Sequence, residues 1–247
     1  MNIIGVIPAR YESTRFPGKP LADICGKPMI WWVYQQVKKV KELSEVYVAT
    51  DDERIKKECE KYDIKVVMTK NNHQNHISRV HEFSTKINAD LYLCVNGDEP
   101  LIDNNSVSTV IKKASTLEEV YFIGAYRYLK DPVETLDSAN IKVVTNEKQC
   151  AIYLSRMPIP FPKSTILFSY KKYVGIELFS KEALSFFVNA NMGVLEKIED
   201  IDHLRFLENG KELVFEEIFS ESLSVDTQKD LEKVIEIIKK QMDENNE

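Results

Sequence analysis

Residues 45–68 read EVYVATDDERIKKECEKYDIKVVM. Glu45 to Thr50 is a short β-branched run, Asp52 to Tyr62 a longer amphipathic stretch, and Lys65 to Met68 a second β-branched run. Strand, helix and strand in that order form the unit of a parallel sheet, because a parallel strand can return only through a crossover. Toward the N-terminus, Asn2 to Pro8 (NIIGVIP) adds a strand and Met29 to Lys39 a helix, which completes a βαβαβ array. Toward the C-terminus the alternation continues with a helix over Ile77 to Lys86 and a buried strand over Leu91 to Val95, ending at Asn96-Gly97-Asp98-Glu99-Pro100. Pro100 cannot donate to a ladder, so the acidic pair stands at a strand end.

The fold class that follows is α/β: an open, mostly parallel sheet with helices on both faces. Further along, a helix is expected over Val107 to Ser115, a strand over Tyr121 to Tyr126, and an antiparallel pair over Ile141 to Thr145 and Ala151 to Leu154. Met157 to Lys163 (MPIPFPK) carries three prolines and is expected as an extended loop. Beyond it the pattern gives a strand near Tyr173 to Phe179, helices over Lys181 to Ala190 and Asp200 to Asn209, a strand over Leu213 to Glu217, and a last helix from Thr227 to about Met242.

The chain has 247 residues, 43% hydrophobic and 29% charged, the balance of an ordinary globular protein. Lys plus Arg number 33 against 39 for Asp plus Glu, giving a formal charge of −6, which argues against broad binding to nucleic acid or to an anionic membrane. The four cysteines lie far apart without a CxxC pair, and are expected as buried free thiols. No apolar stretch approaches the ~18 residues that span a bilayer, and the N-terminus reads as a strand instead of a signal peptide. The expected location is the cytoplasm.

In an open α/β sheet, ligands bind beyond the carboxyl ends of the strands. The first such loop is PARYESTRFPGKP, residues 8–20, where Arg10, Arg15 and Lys19 fall close together in an otherwise acidic chain, among Ser13, Thr14, Pro17 and Pro20. That composition suits a polyanion. The loop has neither GxGxxG nor GxxxxGK[ST], so the charge is supplied by side chains and not by a glycine nest. Asp98 and Glu99 at a strand end, and Ser224-Val225-Asp226-Thr227 before the last helix, offer the oxygen donors that Mg²⁺ takes when it also binds phosphates. Asp226 is equally readable as a helix N-cap.

PARYESTRFPGKPLADICGKPMI, with VYVATDDERI, VNGDEPLI, IYLSRMPIP, LEKIEDIDHLR and SVDTQKDLEKV, resembles the 3-deoxy-manno-octulosonate (KDO) cytidylyltransferases in order and spacing over nearly the whole chain. The resemblance implies a single nucleotidyltransferase domain over residues 1–247 that couples CTP to a sugar acid and releases pyrophosphate, with Mg²⁺. It implies a homodimer to which residues 151–180 contribute, and a place in surface-polysaccharide synthesis. Arg10, Lys19 and Asp98 would be catalytic. Arg10, Ser13, Arg15, Lys19, Asn75, Ser78, Arg79 and Asn96 would hold the nucleotide, and Asp98 and Asp226 the metal. Asn96, Arg156, Glu177, Glu196 and Glu199 would face the acceptor.

Three segments depart from the family's pattern. HQNHISR stands where the family has HQSGTER, NGDEP where it has QGDEP, and YVGIELF where it has HLGIYGY. His76 replaces a glycine that permits close backbone approach, and Glu177 replaces a tyrosine. Nucleotidyl transfer is thus supported by Arg10, Lys19, Asp98 and Asp226, while the acceptor is either KDO or a different acid, such as an amino-sugar acid or a phosphonate. Glu177, with Glu196 and Glu199, would favour an acceptor bearing an ammonium or hydroxyls. A third reading is a nucleotide-binding regulatory protein without turnover.

Overall fold

The computed structural model describes residues 1–12, 16–165, 168–220 and 222–244. The chain, read from the sequence as one domain, groups into two compact units, Met1–Ser108 with Ser220–Glu247, and Thr109–Phe219.

In the first unit, β1 (Ile3–Ala9) is followed by a short 3-10 helix (Lys19–Leu21) and by a two-residue-stranded hairpin, β2 (Asp23–Ile24) and β3 (Lys27–Pro28). The hairpin was not foreseen; its turn is Cys25-Gly26, both at positive φ, a geometry that suits a tight two-residue turn. Next come α1 (Met29–Lys38), β4 (Glu45–Thr50), α2 (Glu53–Lys61), β5 (Val66–Met68), α3 (His76–Lys86) and β6 (Leu91–Val95). Asp52 caps α2 by accepting the Arg54 amide at 2.8 Å, and Asn75 caps α3 by accepting the Ser78 amide at 2.9 Å. Helix α4 (Asn104–Ala114) begins with Asp103 accepting from the Ser106 amide.

The strands lie in the order β6-β1-β4-β5, and each neighbouring pair is parallel. The chain runs outward from β1 to β5 and then returns past β1 to β6. Right-handed crossovers therefore put α1 and α2 on one face and α3 on the other. The side chains agree. A Cβ at Gly5 would touch Val37 of α1 and Val46, whereas Tyr47 and Tyr92 meet the ring of Phe83 on α3 from the opposite face. The reversal of direction at β1 is the topological switch point, and in open α/β sheets the ligand crevice lies outside the carboxyl ends of the strands there.

The second unit contains β7 (Phe122–Tyr128), α5 (Pro132–Leu136), β8 (Lys142–Thr145), β9 (Ala151–Ser155), β10 (Lys171–Ser180), α6 (Lys181–Asn189), α7 (Val194–Glu199), α8 (Leu204–Glu208) and β11 (Val214–Glu217). Here β7 pairs antiparallel with β10 and parallel with β11, and β8 pairs antiparallel with both β9 and β10. Of the helix expected over 200–209 only Leu204–Glu208 is helical; α7 lies before that range and was not expected, and Asp200, in a left-handed conformation (φ 52), ends it. Its core is aromatic: Phe122 meets Phe179, Phe206 and Phe215. Lys142 is fully buried, and its ammonium donates to the carbonyls of Asp137, Asn140 and Arg156 at 2.6–2.9 Å.

The chain then completes the first unit with α9 (Gln228–Glu244). Leu231, Val234 and Ile238 on one side of this helix pack with Ile24, Met29 and Val225. That apolar stripe docks the helix, and with it the residues just before its first turn.

Candidate active site

The loop after β1 closes on itself. The Gly18 amide donates to the Tyr11 carbonyl at 2.8 Å, and Gly18, at φ 72, lies so near the Tyr11 ring that a Cβ would come within 3.1 Å of it. The Arg54 guanidinium stacks 3.3 Å over the same ring and is itself held by Asp52 through Nε and Nη2. Gly18 also caps the 3-10 helix, with Pro20 in its first turn, so Lys19 leaves a rigid base. Its ammonium reaches Asp98 Oδ2 at 2.7 Å and Asp226 Oδ1 at 3.4 Å.

Asp98 stands where β6 ends, and the approach of that turn to β1 depends on Gly97, whose Cβ would lie 2.8 Å from the Pro8 carbonyl oxygen. Asp226 precedes α9 but does not cap it. Thr227 and Asp230 do, with the Thr227 hydroxyl accepting from the Asp230 amide and the Asp230 carboxylate accepting from the Thr227 amide. The capping function considered for Asp226 thus belongs to its neighbour, and the Asp226 carboxylate meets Lys19 instead. Burial pulls the Lys19 ammonium down, but Asp98 and then Asp226 outweigh it and hold the group above its usual range. Two carboxylates from distant parts of the chain converge on one cationic point; this hard oxygen donor set fits Mg²⁺.

The other residues singled out from the sequence are placed as follows. Arg10 is exposed just beyond β1, whereas Ser13 and Arg15 lie outside the described residues. Asn96 is half-buried, and its carbonyl accepts the Glu99 amide. Asn75 and the Ser78 amide are joined in the α3 cap. Arg79 is buried; it donates to Thr69 Oγ1 at 2.5 Å and pairs with Asp51 at 3.1 Å, tying α3 to the ends of β4 and β5.

In the second unit, Arg156 donates to the carbonyls of Ser138, Glu199 and Asp200, and Glu199 accepts from Ser155 Oγ and the Arg156 amide. Glu196 is a buried carboxylate in a two-pronged pair with Arg205, at 2.8 and 2.6 Å. Glu177, expected to face an acceptor, is fully buried and bonded to His203 and to the Tyr173 hydroxyl. Sequence reasoning missed Arg54 and Ser222 as parts of the site. Tyr11, Gly18, Gly97 and Ser224 lie in tracts it had marked, but without the supporting contacts the structure gives them.

A cation-rich loop after β1 and paired carboxylates beyond β6 occupy the switch-point end of a parallel sheet. The cytidylyltransferase family matches residues 4–213 of this chain. The chain belongs to the cytidylyltransferase family. This cytidylyltransferase is 35% identical over 240 residues to the 3-deoxy-manno-octulosonate cytidylyltransferase of Escherichia coli, covering 97% of each chain. It is 36% identical over 237 residues to the 8-amino-3,8-dideoxy-manno-octulosonate cytidylyltransferase of Shewanella sp. (strain ANA-3), covering 94% of this chain and 97% of that one. A solved structure of CMP:2-keto-3-deoxy-manno-octonic acid synthetase complexed with CTP matches it with a TM-score of 0.93 at 34% identity, covering 98% of this chain and all of the other. The α/β architecture expected from the sequence is the one these cytidylyltransferases share. Among the described residues, no helix is long and apolar enough to cross a membrane.

Proposed function

We propose that this cytidylyltransferase transfers CMP from CTP to an eight-carbon 3-deoxy sugar acid and releases pyrophosphate, with Mg²⁺ as its metal. The observation that carries the reading is the convergence of Lys19, Asp98 and Asp226 at the switch-point end of the sheet. In the reaction an acceptor hydroxyl oxygen attacks the α-phosphorus and gives up its proton to solvent, the bond from that phosphorus to the bridging oxygen breaks, and pyrophosphate leaves with the bonding pair. Lys19 and Arg10 supply the positive charge that the leaving pyrophosphate gathers. Asp98 and Asp226 would hold Mg²⁺, which when bound lends Lewis acidity toward phosphate oxygens.

Positioning and charge neutralisation account for most of the rate in this scheme, because phosphoryl transfer leaves the protein little covalent work. Asp98→Ala is expected to lower turnover at least ~10²-fold, the scale of losing one electrostatic stabiliser. Full turnover by Asp98→Ala, or by the native protein in EDTA, would sink the metal reading.

A second acceptor, the 8-amino analogue, is favoured by the near-equal similarity to relatives of both names. Glu177 does not add to the case, because its carboxylate is buried and already bonded to His203 and Tyr173. A pyrophosphate-release assay with CTP against KDO, 8-amino-KDO and an aminoalkyl phosphonate decides the acceptor. Tight CTP binding with no turnover on any of them would favour a regulatory protein.

A further inference from the structure

Glu99 lies beside Asp98 and is 4% exposed, so its carboxylate is not presented to a ligand. Burying a carboxylate is costly unless its oxygens find donors. Here they do so across a long sequence separation: Ser222 Oγ donates to one oxygen and Ser224 Oγ to the other. The Ser222 amide is in turn fixed by Ser220 Oγ at 3.1 Å. Between the two serines and Asp226, the Val225 amide donates to the Asp98 carbonyl at 2.9 Å. Three bonds therefore join residues 98 and 99 to residues 222–225, and the segment they join ends at Asp226.

We infer that Glu99 is a positioning residue: through Ser222 and Ser224 it sets the Asp226 carboxylate opposite that of Asp98, and so fixes the spacing of a divalent-cation site. The inference rests on the proposed metal function of those two aspartates. α9 docks through Leu231, Val234 and Ile238, and Val225, the residue before Asp226, is buried in the same cluster. These contacts hold the segment on α9, and the hydroxyl pair on Glu99 ties it to the end of β6, where Asp98 stands. A glutamate does this better than an apolar residue because each oxygen takes its own hydroxyl, and two bonds from one planar group fix orientation as well as distance.

Two variants separate positioning from charge. Ser222→Ala combined with Ser224→Ala keeps the Glu99 carboxylate and removes its donors. Glu99→Gln keeps a bonding group of the same shape and removes the charge. Mn²⁺ binding is followed by electron paramagnetic resonance in the presence of CTP without acceptor, alongside the Mg²⁺ dependence of turnover. Residues that orient metal ligands typically govern ~10-fold or more in metal affinity. The double serine variant is expected to show that loss, with the KM for CTP at saturating Mg²⁺ unchanged, and Glu99→Gln a smaller loss because its amide still meets both hydroxyls.

A folded double variant that binds Mn²⁺ as the native protein does would overturn the inference. So would a rise in the KM for CTP equal to the loss in metal affinity, which points to general loosening. If the double variant does not fold, Ser222→Ala and Ser224→Ala are read singly, and native Mn²⁺ affinity in both has the same force. Absence of Mn²⁺ binding by the native protein with CTP would remove the metal reading itself, a result distinct from native binding with unaffected variants.

Discussion

An added methyl at Gly97 would lie 2.8 Å from the Pro8 carbonyl oxygen, with Ile7 and Ile30 at 3.6 Å behind it. Backbone cannot yield as the end of a flexible side chain can, so Gly97→Ala forces the β6 turn away from β1. Overpacking of this kind costs about 1–3 kcal/mol, measurable as a lower midpoint in urea. Turnover should fall further than stability implies, because a shift of ~1 Å in a positioning group can lower a rate ~10²-fold, and Asp98 is the next residue. A variant that keeps native turnover while losing stability would separate Gly97 from the site. At this scale the meeting of Lys19 and Asp98 was legible as a neighbourhood, because Lys19 lies in the charged loop after β1, Asp98 just beyond β6, and those strands are parallel neighbours. Arg79 shows the converse. Its charge was visible, but its partner Asp51 was not, since pairing between distant residues is decided by the fold.

Among the elements, α3 is anchored by an ionic knot. Glu82 accepts from His73, from the Lys70 amide and from Lys86, which also donates to the Met68 carbonyl. Burial opposes ionisation of Glu82, but Lys86, the Lys70 amide and His73 prevail and hold its carboxyl at about 2 against an ordinary 4.5. A depressed carboxyl adds stability above the unfolded value, and that stability is lost as pH falls from 4.5 toward 2. Glu82→Gln is therefore expected to be less stable than the native chain at pH 6, by about 1 kcal/mol after solvent screening of the ion pairs. The gap should close in acid; denaturant titrations at several pH values test this, and a gap independent of pH would refute it. Apart from the β2–β3 hairpin, the strands and α-helices of the first unit were readable because their periodicity and their alternating order agree. Helix α7 was not readable: the carboxylate that binds its Leu195 and Glu196 amides belongs to Glu208, beyond its end at Asp200.

For the molecule as a whole, the expected assembly is a homodimer through residues 151–180, where Ile152, Met157 and Phe161 are exposed apolar side chains. Exposed apolar groups in one tract are typical of interface cores. Light scattering at micromolar concentration should give twice the chain mass, and a monomeric mass would refute the assembly. The α/β class was legible from strand and helix order alone, whereas the two-unit grouping was not, because the chain leaves the first unit and returns to it only for α9. The Lys19 ammonium between Asp98 and Asp226 bears on how the chain comes to be folded at all. Many sites built of opposed carboxylates repel themselves until an ion arrives, which ties folding to ion supply. Here the counter-charge is covalently part of the polypeptide. The melting temperature is thus expected to be the same in EDTA as in untreated buffer, while Lys19→Met should melt lower and regain several degrees on adding Mg²⁺ by mass action. A native protein that loses several degrees in EDTA would show that the lysine does not balance the pair. Otherwise the newly made chain can reach its final shape on the ribosome's schedule, with no ion needed to hold the two carboxylates together.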